Sequence, residues 1–475
     1  MGMEFSPGQA TEYQQRLTEM LRNPQCYLEL YRPQLHFTPL FNWCNDPNGL
    51  VYHEGEYHLF FQHNPFELEW GNSAWGHAVS SDLLHWQQLP IALWPDERGT
   101  IWSGSAIVDV HNTAGFQASD TSPMIAAFTY AGRHGKLGEP FTQGIAYSSD
   151  RGRTWAKYAH NPVLPNQSGG DDRDPKLLWC ESTKAWVMVL YLDKEKLGFF
   201  TSSDLKRWNF TGEINGFYEC PDLFELPLDG NPGNMRWILM DASGEYLIGS
   251  FDGQTFTEES AKQRSDYGAN FYAPQTFNNI PEADGRRIQI AWMDGGKYPG
   301  MPFNQQMSFP CELTLRSFPD GIRMCKNPIR EIKKLYCKTI TIPDMILKPG
   351  NNSLDGISGD LFDIQLEIEL QETTMFGLRI ANLLIQYDVN NQTISCGDAT
   401  AMLPPEFNRI KLRALIDRTS VEVFGNDGRI SMSSCYLPQN SSPGNPELFV
   451  RGGNARIVSL AVHPLKSIWH SRDQK

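Results

Sequence analysis

The rhythm of apolar and polar positions changes twice along the chain. From about Thr11 to Arg22, helix formers and charged residues surround a few apolar positions, and Asn23-Pro24 ends the run; this predicts one short helix on the outside of the molecule. From Phe37 onward, short alternating runs take over, among them Tyr57 to Phe61, Met124 to Phe128, Trp186 to Leu190 and Trp237 to Met240, with Gly, Asn, Asp and Pro between them. Alternation with a period of two buries one face of a strand, and no long helical periodicity interrupts it. The expected fold class is all-β.

A weak repeat refines that expectation. Ser80-Ser81-Asp82 with Trp86 recurs as Ser148-Ser149-Asp150 with Trp155 and as Ser202-Ser203-Asp204 with Trp208, then degenerately as Ser250-Phe251-Asp252 with Phe256. Ser-Asp turns recur by accident, but a trailing aromatic that recurs with them, at intervals of roughly 50 to 70 residues, points to blades around a propeller axis. Between Tyr31 and about Leu335 there is room for roughly five four-stranded blades. Pro, Gly and Asn then gather from Pro343 to Asn352, the mark of a linker. Beyond it, Leu361 to Ile368, Leu378 to Ile380, Leu384 to Tyr387 and Ser420 to Phe424 alternate as half-buried strands, which stack as a β-sandwich. The expected organisation is a helical extension over 1–30, a five-bladed β-propeller over 31–338, a linker over 339–350 and a β-sandwich over 351–475.

Length and charge narrow the function. A chain of 475 residues is too long for one small core. Its formal net charge of −14 makes nucleic acid an unsuitable partner, because phosphate binding needs clustered Lys and Arg. No run approaches the roughly 18 apolar residues of a membrane span, and residues 1–25 lack the apolar core of a signal peptide. The expectation is a secreted or periplasmic protein without its leader, with a cytoplasmic location as the alternative. The nine cysteines are odd in number and scattered, so neither a disulfide framework nor a zinc site is expected.

Three acids stand beside prolines where strand patterns begin: Asp46 in Trp43-Cys44-Asn45-Asp46-Pro47-Asn48-Gly49, Asp174 in Arg173-Asp174-Pro175, and Glu219 in Glu219-Cys220-Pro221. Alone, the first reads as an ordinary Asx turn that holds its carboxylate at a strand's start. Together the three are what a sugar-cleaving pocket needs. Here the sequence resembles glycoside hydrolase family 32, the β-fructofuranosidases that include invertases, inulinases and levanases. The likeness runs through Tyr31 to Phe37, Trp43 to Gly49 (with Cys44 where the family usually has Met), Leu59 to Gln62, Trp75 to Ala78, Trp102 to Ala106 (with Trp102 where Phe is common), both later acid motifs, Asn270 to Ala273 and Ala291 to Met293. These motifs stand in family order over nearly the whole chain.

The resemblance implies the propeller and sandwich and a retaining reaction, in which two carboxyls about 5 to 5.5 Å apart act as nucleophile and as general acid and base. It assigns the nucleophile to Asp46, the acid and base to Glu219 and transition-state stabilisation to Asp174. Arg173 is expected to orient the acids. Asn45, Gln62, Trp70, Trp102, Ser103, Tyr272 and Trp292 match positions that line the fructose pocket, where amides and hydroxyls satisfy sugar hydroxyls and rings wall the apolar face. Cys220 reads as a small buried filler. No metal ion or organic cofactor is implied.

Glu69 to His77, Trp94 to Glu97 and Gly300 to Gln306 look most like the inulinase and levanase branch. They predict an exo-acting enzyme that releases terminal fructose from fructans and sucrose, with the choice between β-2,1 and β-2,6 linkages open. An invertase or a transfructosylating relative shares the motifs; a five-bladed glycosidase acting on arabinan or xylan, and a binding propeller without catalysis, are the remaining rivals.

Overall fold

The computed structural model describes residues 6–118, 120–380, 382–438 and 445–469, so residues 1–5 of the expected extension and 470–475 of the expected sandwich lie outside it. Among the described residues, five sheets follow one another along the chain as propeller blades, and two further sheets form the sandwich.

Each blade begins with an inner strand: Asn42–His53, Thr100–Val108, Arg173–Cys180, Asp222–Pro227 and Tyr272–Thr276. The remaining strands of each blade follow by antiparallel pairing, and Phe303–Asn304 adds a short parallel strand to the first blade. The inner strands are buried on both faces, which is why Leu50, Ile107 and Leu177 sit in continuous apolar runs.

The repeated Ser-Asp turn joins the third strand to the fourth in the first four blades. Asp82 accepts the Leu84 and His85 amides, Asp204 those of Lys206 and Arg207, and Asp252 those of Gln254 and Thr255. These are Asx turns, in which a carboxylate takes the place of a backbone acceptor. The trailing indoles of Trp155 and Trp208 donate back into their own turns, to Gly152 and Leu205 carbonyls. The fifth blade lacks the motif because Phe318 pairs directly with Gly321 around Pro319-Asp320.

In the sandwich, a seven-stranded sheet faces a five-stranded one across a core that includes Ile364, Leu366, Ile368, Ile385, Val421 and Val423. The stretch expected to be a linker is strand instead. Ile340–Ile342 and Met345–Leu347 both pair with Ala455–Pro464, because the apolar side chains between the linker-like residues supply enough alternation to join the sheet edge. The N-terminal helix runs from Pro7 to Arg22, one turn longer at its start than expected, and buries Tyr13 and Leu17 against the first blade.

The segment leading into the first inner strand is pinned to the sandwich. His36 donates from Nδ1 to Asp417 at 2.7 Å and from Nε2 to Glu422 at 2.8 Å, and Asp417 also accepts the Gln34 and Leu35 amides. Burial works against the charge on His36, but its bonds to the two carboxylates outweigh it and lift the pKa from 6.5 to about 9. A raised folded pKa makes the stabilisation complete below the unfolded value and loses it as pH rises through the folded one. The melting temperature should therefore fall between about pH 6.5 and 9, and His36→Ala should flatten that slope. Removing one partner of a buried charged network costs about 3–5 kcal/mol, a loss that thermal unfolding across that pH range will read.

Candidate active site

The starts of the inner strands meet at one mouth of the propeller axis. Four of the five innermost segments carry an irregularity there. The first inner strand shifts register between Cys44 and Pro47, the second between Trp102 and Gly104, the third opposite Val189 and Tyr191, and the fifth between Tyr272 and Gln275. Asp174, Glu219, Cys220 and Ala273 all have positive φ. A bulge adds a residue to one strand only and re-aims the side chains beside it; positive φ in a non-glycine residue stores strain that the surrounding sheet must hold. Gly104 lies in the second bulge, where any Cβ would collide with the Ala127 carbonyl. Asp46 accordingly lies within a bulged strand and not on the turn before one, as its Asx-like sequence suggested.

All eleven residues singled out from the sequence line a single cavity of about 340 Å³: Asn45, Asp46, Gln62, Trp70, Trp102, Ser103, Arg173, Asp174, Glu219, Tyr272 and Trp292. They come from all five blades. Ser73, Asp171 and Tyr218 line it too and were missed, although each lies within three residues of one singled out.

Asp46 is fixed through both oxygens. Ser103 Oγ donates to Oδ2 at 2.6 Å and Asn45 Nδ2 to Oδ1 at 3.1 Å, while the Asn45 carbonyl accepts the Trp43 indole at 2.8 Å. Asp174 is buried; its backbone N–H donates to Thr129 Oγ1 at 2.9 Å and its Oδ2 accepts the Cys220 N–H at 3.1 Å. Burial, with the Glu219 and Asp46 charges adding to it, pushes the Asp174 carboxyl well above the usual carboxylate range despite Arg173.

Glu219 accepts from Arg173 Nε at 2.8 Å and from the Tyr272 hydroxyl at 2.5 Å. Arg173 also donates to the Asp171 carbonyl at 2.8 Å and to the Tyr218 hydroxyl at 3.2 Å, and lies over the Tyr191 ring at 4.5 Å. Burial opposes its charge, but Asp174 and Glu219 prevail and hold its pKa above the ordinary value. The sequence reading of Cys220 as filler falls short: its Sγ lies 3.5 Å from Asp46 Oδ2 and 3.4 Å from Asp174 Oδ2. Burial, reinforced by the neighbouring carboxylates, keeps that thiol protonated and therefore able to donate.

The walls suit a small polyol. Gln62 is buried and its Nε2 has no partner among the described residues, which leaves a donor for a ligand hydroxyl. Trp292 meets Tyr272 and Trp43 edge to face at 6.1 and 6.0 Å, and Trp70, about half exposed, stands at the rim 5.9 Å from Trp102. Further along the third inner strand, buried Lys176 pairs with Asp222 at 2.9 Å and donates to the Thr276 carbonyl, tying three inner strands together.

Fold and cavity together define a class: a five-bladed propeller joined to a β-sandwich, with a pocket on the propeller axis that gathers acids and indoles. Within that class, residues 36–328 match the model of the glycosyl hydrolases family 32 N-terminal domain and residues 331–464 that of the family 32 C-terminal domain. The chain belongs to glycosyl hydrolase family 32. It is similar to a levanase of Bacillus subtilis (strain 168), with 41% identity over 93% of this chain and 72% of the relative. An extracellular exo-inulinase of Aspergillus niger is 32% identical over 94% of this chain and 96% of its own. Among solved structures, the exo-inulinase of Aspergillus awamori superposes with a TM-score of 0.84 at 30% identity, covering 93% of this chain and all (100%) of that one. A β-fructofuranosidase of Schwanniomyces occidentalis complexed with fructosyl-erythritol gives 0.83 at 25% identity, covering 94% and 99%.

Proposed function

We propose that the protein is an exo-acting β-fructosidase that removes terminal fructose from fructans and from sucrose with retention at the anomeric carbon. The observation that carries this reading is the convergence of Asp46, Asp174 and Glu219, from three different blades, on one sugar-sized cavity.

In the first step an oxygen of Asp46 attacks the anomeric carbon while Glu219 gives its proton to the departing glycosidic oxygen; the C–O bond breaks and a fructosyl ester on Asp46 forms. In the second, Glu219 takes a proton from water, the water oxygen attacks the same carbon, and fructose leaves with both carboxyls restored. Ser103 and Asn45 hold the Asp46 oxygens in place for the attack. Arg173 and Tyr272 stabilise Glu219 once its proton has gone. Asp174 accepts hydrogen bonds from ring hydroxyls, and Gln62 offers its free N–H to another. A relative named exo-inulinase supports exo action. Relatives named levanase and exo-inulinase support fructans as the substrate class, and one named extracellular supports action outside the cell.

The test is chromatography of early products from sucrose, inulin and levan side by side. Fructose as the only early product from both polymers, with glucose from sucrose, is expected. Oligosaccharides appearing first would indicate transfer or internal cleavage, and release of pentose from arabinan or xylan without fructose release would replace the reading.

A further inference from the structure

A second cavity, of about 260 Å³, lies toward the other end of the propeller axis. The third inner strand carries Arg173 at the acidic pocket and Leu178 at this one, roughly 16 Å along a strand rising about 3.3 Å per residue. The Lys176–Asp222 pair lies between them.

Indole rings form much of its wall. Trp179 and Trp186 meet edge to face at 5.0 Å, and Trp237 projects from the fourth blade. Polar groups that line the same space keep unused hydrogen-bonding capacity. Among the described residues, the Glu225 carboxylate accepts no hydrogen bond, and Trp237, its cross-strand neighbour, has no acceptor for its indole N–H. Among the described residues Arg287 donates only through Nη1, to the Phe277 carbonyl at 3.3 Å. Asn279 accepts the Val108 N–H at 3.0 Å, but its own amide N–H groups have no acceptor among the described residues. Glu225 and Arg287 carry opposite charges in one cavity, yet no ion pair joins them among the described residues.

Water meets these part-exposed groups in the free cavity, and a ligand with hydroxyls of its own can take over those hydrogen bonds. An anion would meet Glu225 and a cation would meet Arg287, whereas a neutral polyol satisfies both and lays its apolar face on the indoles. We propose that this far cavity is a noncatalytic carbohydrate site that holds a sugar ring of a neutral polysaccharide while the acidic pocket works on a chain end. The proposal rests on the fructan reading above. A polymer held at two places on one protein dissociates more slowly than one held at either alone.

The test is affinity electrophoresis of the full chain through gels containing levan or inulin, in an Asp46→Asn background so that the polymer survives. Adding Glu225→Ala or Trp237→Ala should weaken retention about tenfold, the loss of roughly one good contact. In the otherwise wild-type protein, the same substitutions should leave kcat/KM on sucrose within about twofold, as expected for sites without shared partners. Two variants are needed because Trp237 also packs on Phe251 at 5.2 Å, and sucrose turnover reports whether the blade is intact. Undiminished retention in both variants, or a parent protein that neither polymer retards, would overturn the second site alone. Failure of the wild-type protein to release fructose would overturn the reading of the acidic pocket.

Discussion

Asp46→Asn should lower kcat on sucrose on the order of 10⁴-fold, about 5 kcal/mol of barrier, with the melting temperature within a few degrees of wild type. An amide keeps the shape of the carboxylate and its oxygen still accepts the Ser103 hydroxyl; only the Asn45 bond is lost, a change too small to move the bulged strand. What it loses is the nucleophile: without an ionised oxygen at that position no fructosyl ester forms. Steady-state rates paired with a thermal melt separate the two effects. Activity within tenfold of wild type in a folded variant would remove Asp46 from the proposed chemistry.

Replacement of Glu219 should show a different signature, because an acid matters only as far as the leaving group needs a proton. Glu219→Gln should cost about 10³-fold on sucrose, whose leaving alkoxide is strongly basic, and far less on a fructoside with a p-nitrophenolate leaving group. The glutamine oxygen can keep the Arg173 bond while its amide nitrogen, facing the Tyr272 hydroxyl, becomes the donor of that pair, so the cation keeps its partner and the pocket its form. Equal losses on both substrates would mean that Glu219 only shapes the site. The contrast between the two substrates is the readout, and it is independent of how well the variant folds.

Much of this arrangement was legible in the sequence because its signals are local. Alternating runs identify strands, and the Ser-Asp turn with its trailing aromatic marks where a third strand turns into a fourth in each of four blades. The convergence of eleven residues on one cavity followed from motif order, since the three acids and their neighbours open or precede inner strands and Gln62 and Trp292 lie at or near the ends of the strands paired beside them. Other features are consequences of folding. A β-bulge leaves no mark in composition, so Asp46 looked like a turn residue when it belongs to a strand. Cys220 could be seen beside Glu219, but that its thiol reaches carboxylates from two other blades depends on the closure of the propeller. The His36 contacts with Asp417 and Glu422 span more than 380 positions, and no local pattern announces them. The short strands in the expected linker were hidden for a related reason: three-residue runs gain their stability from the sheet edge they join.

The stereochemical course tests the double displacement most directly. In water containing methanol, the solvent competes for the fructosyl ester, and the resulting methyl fructoside is locked in whichever configuration the enzyme produced. An NMR spectrum of the early product should show methyl β-D-fructofuranoside, the result of two inversions at one carbon. Methyl α-D-fructofuranoside would mean a single displacement by solvent and would contradict a covalent intermediate on Asp46.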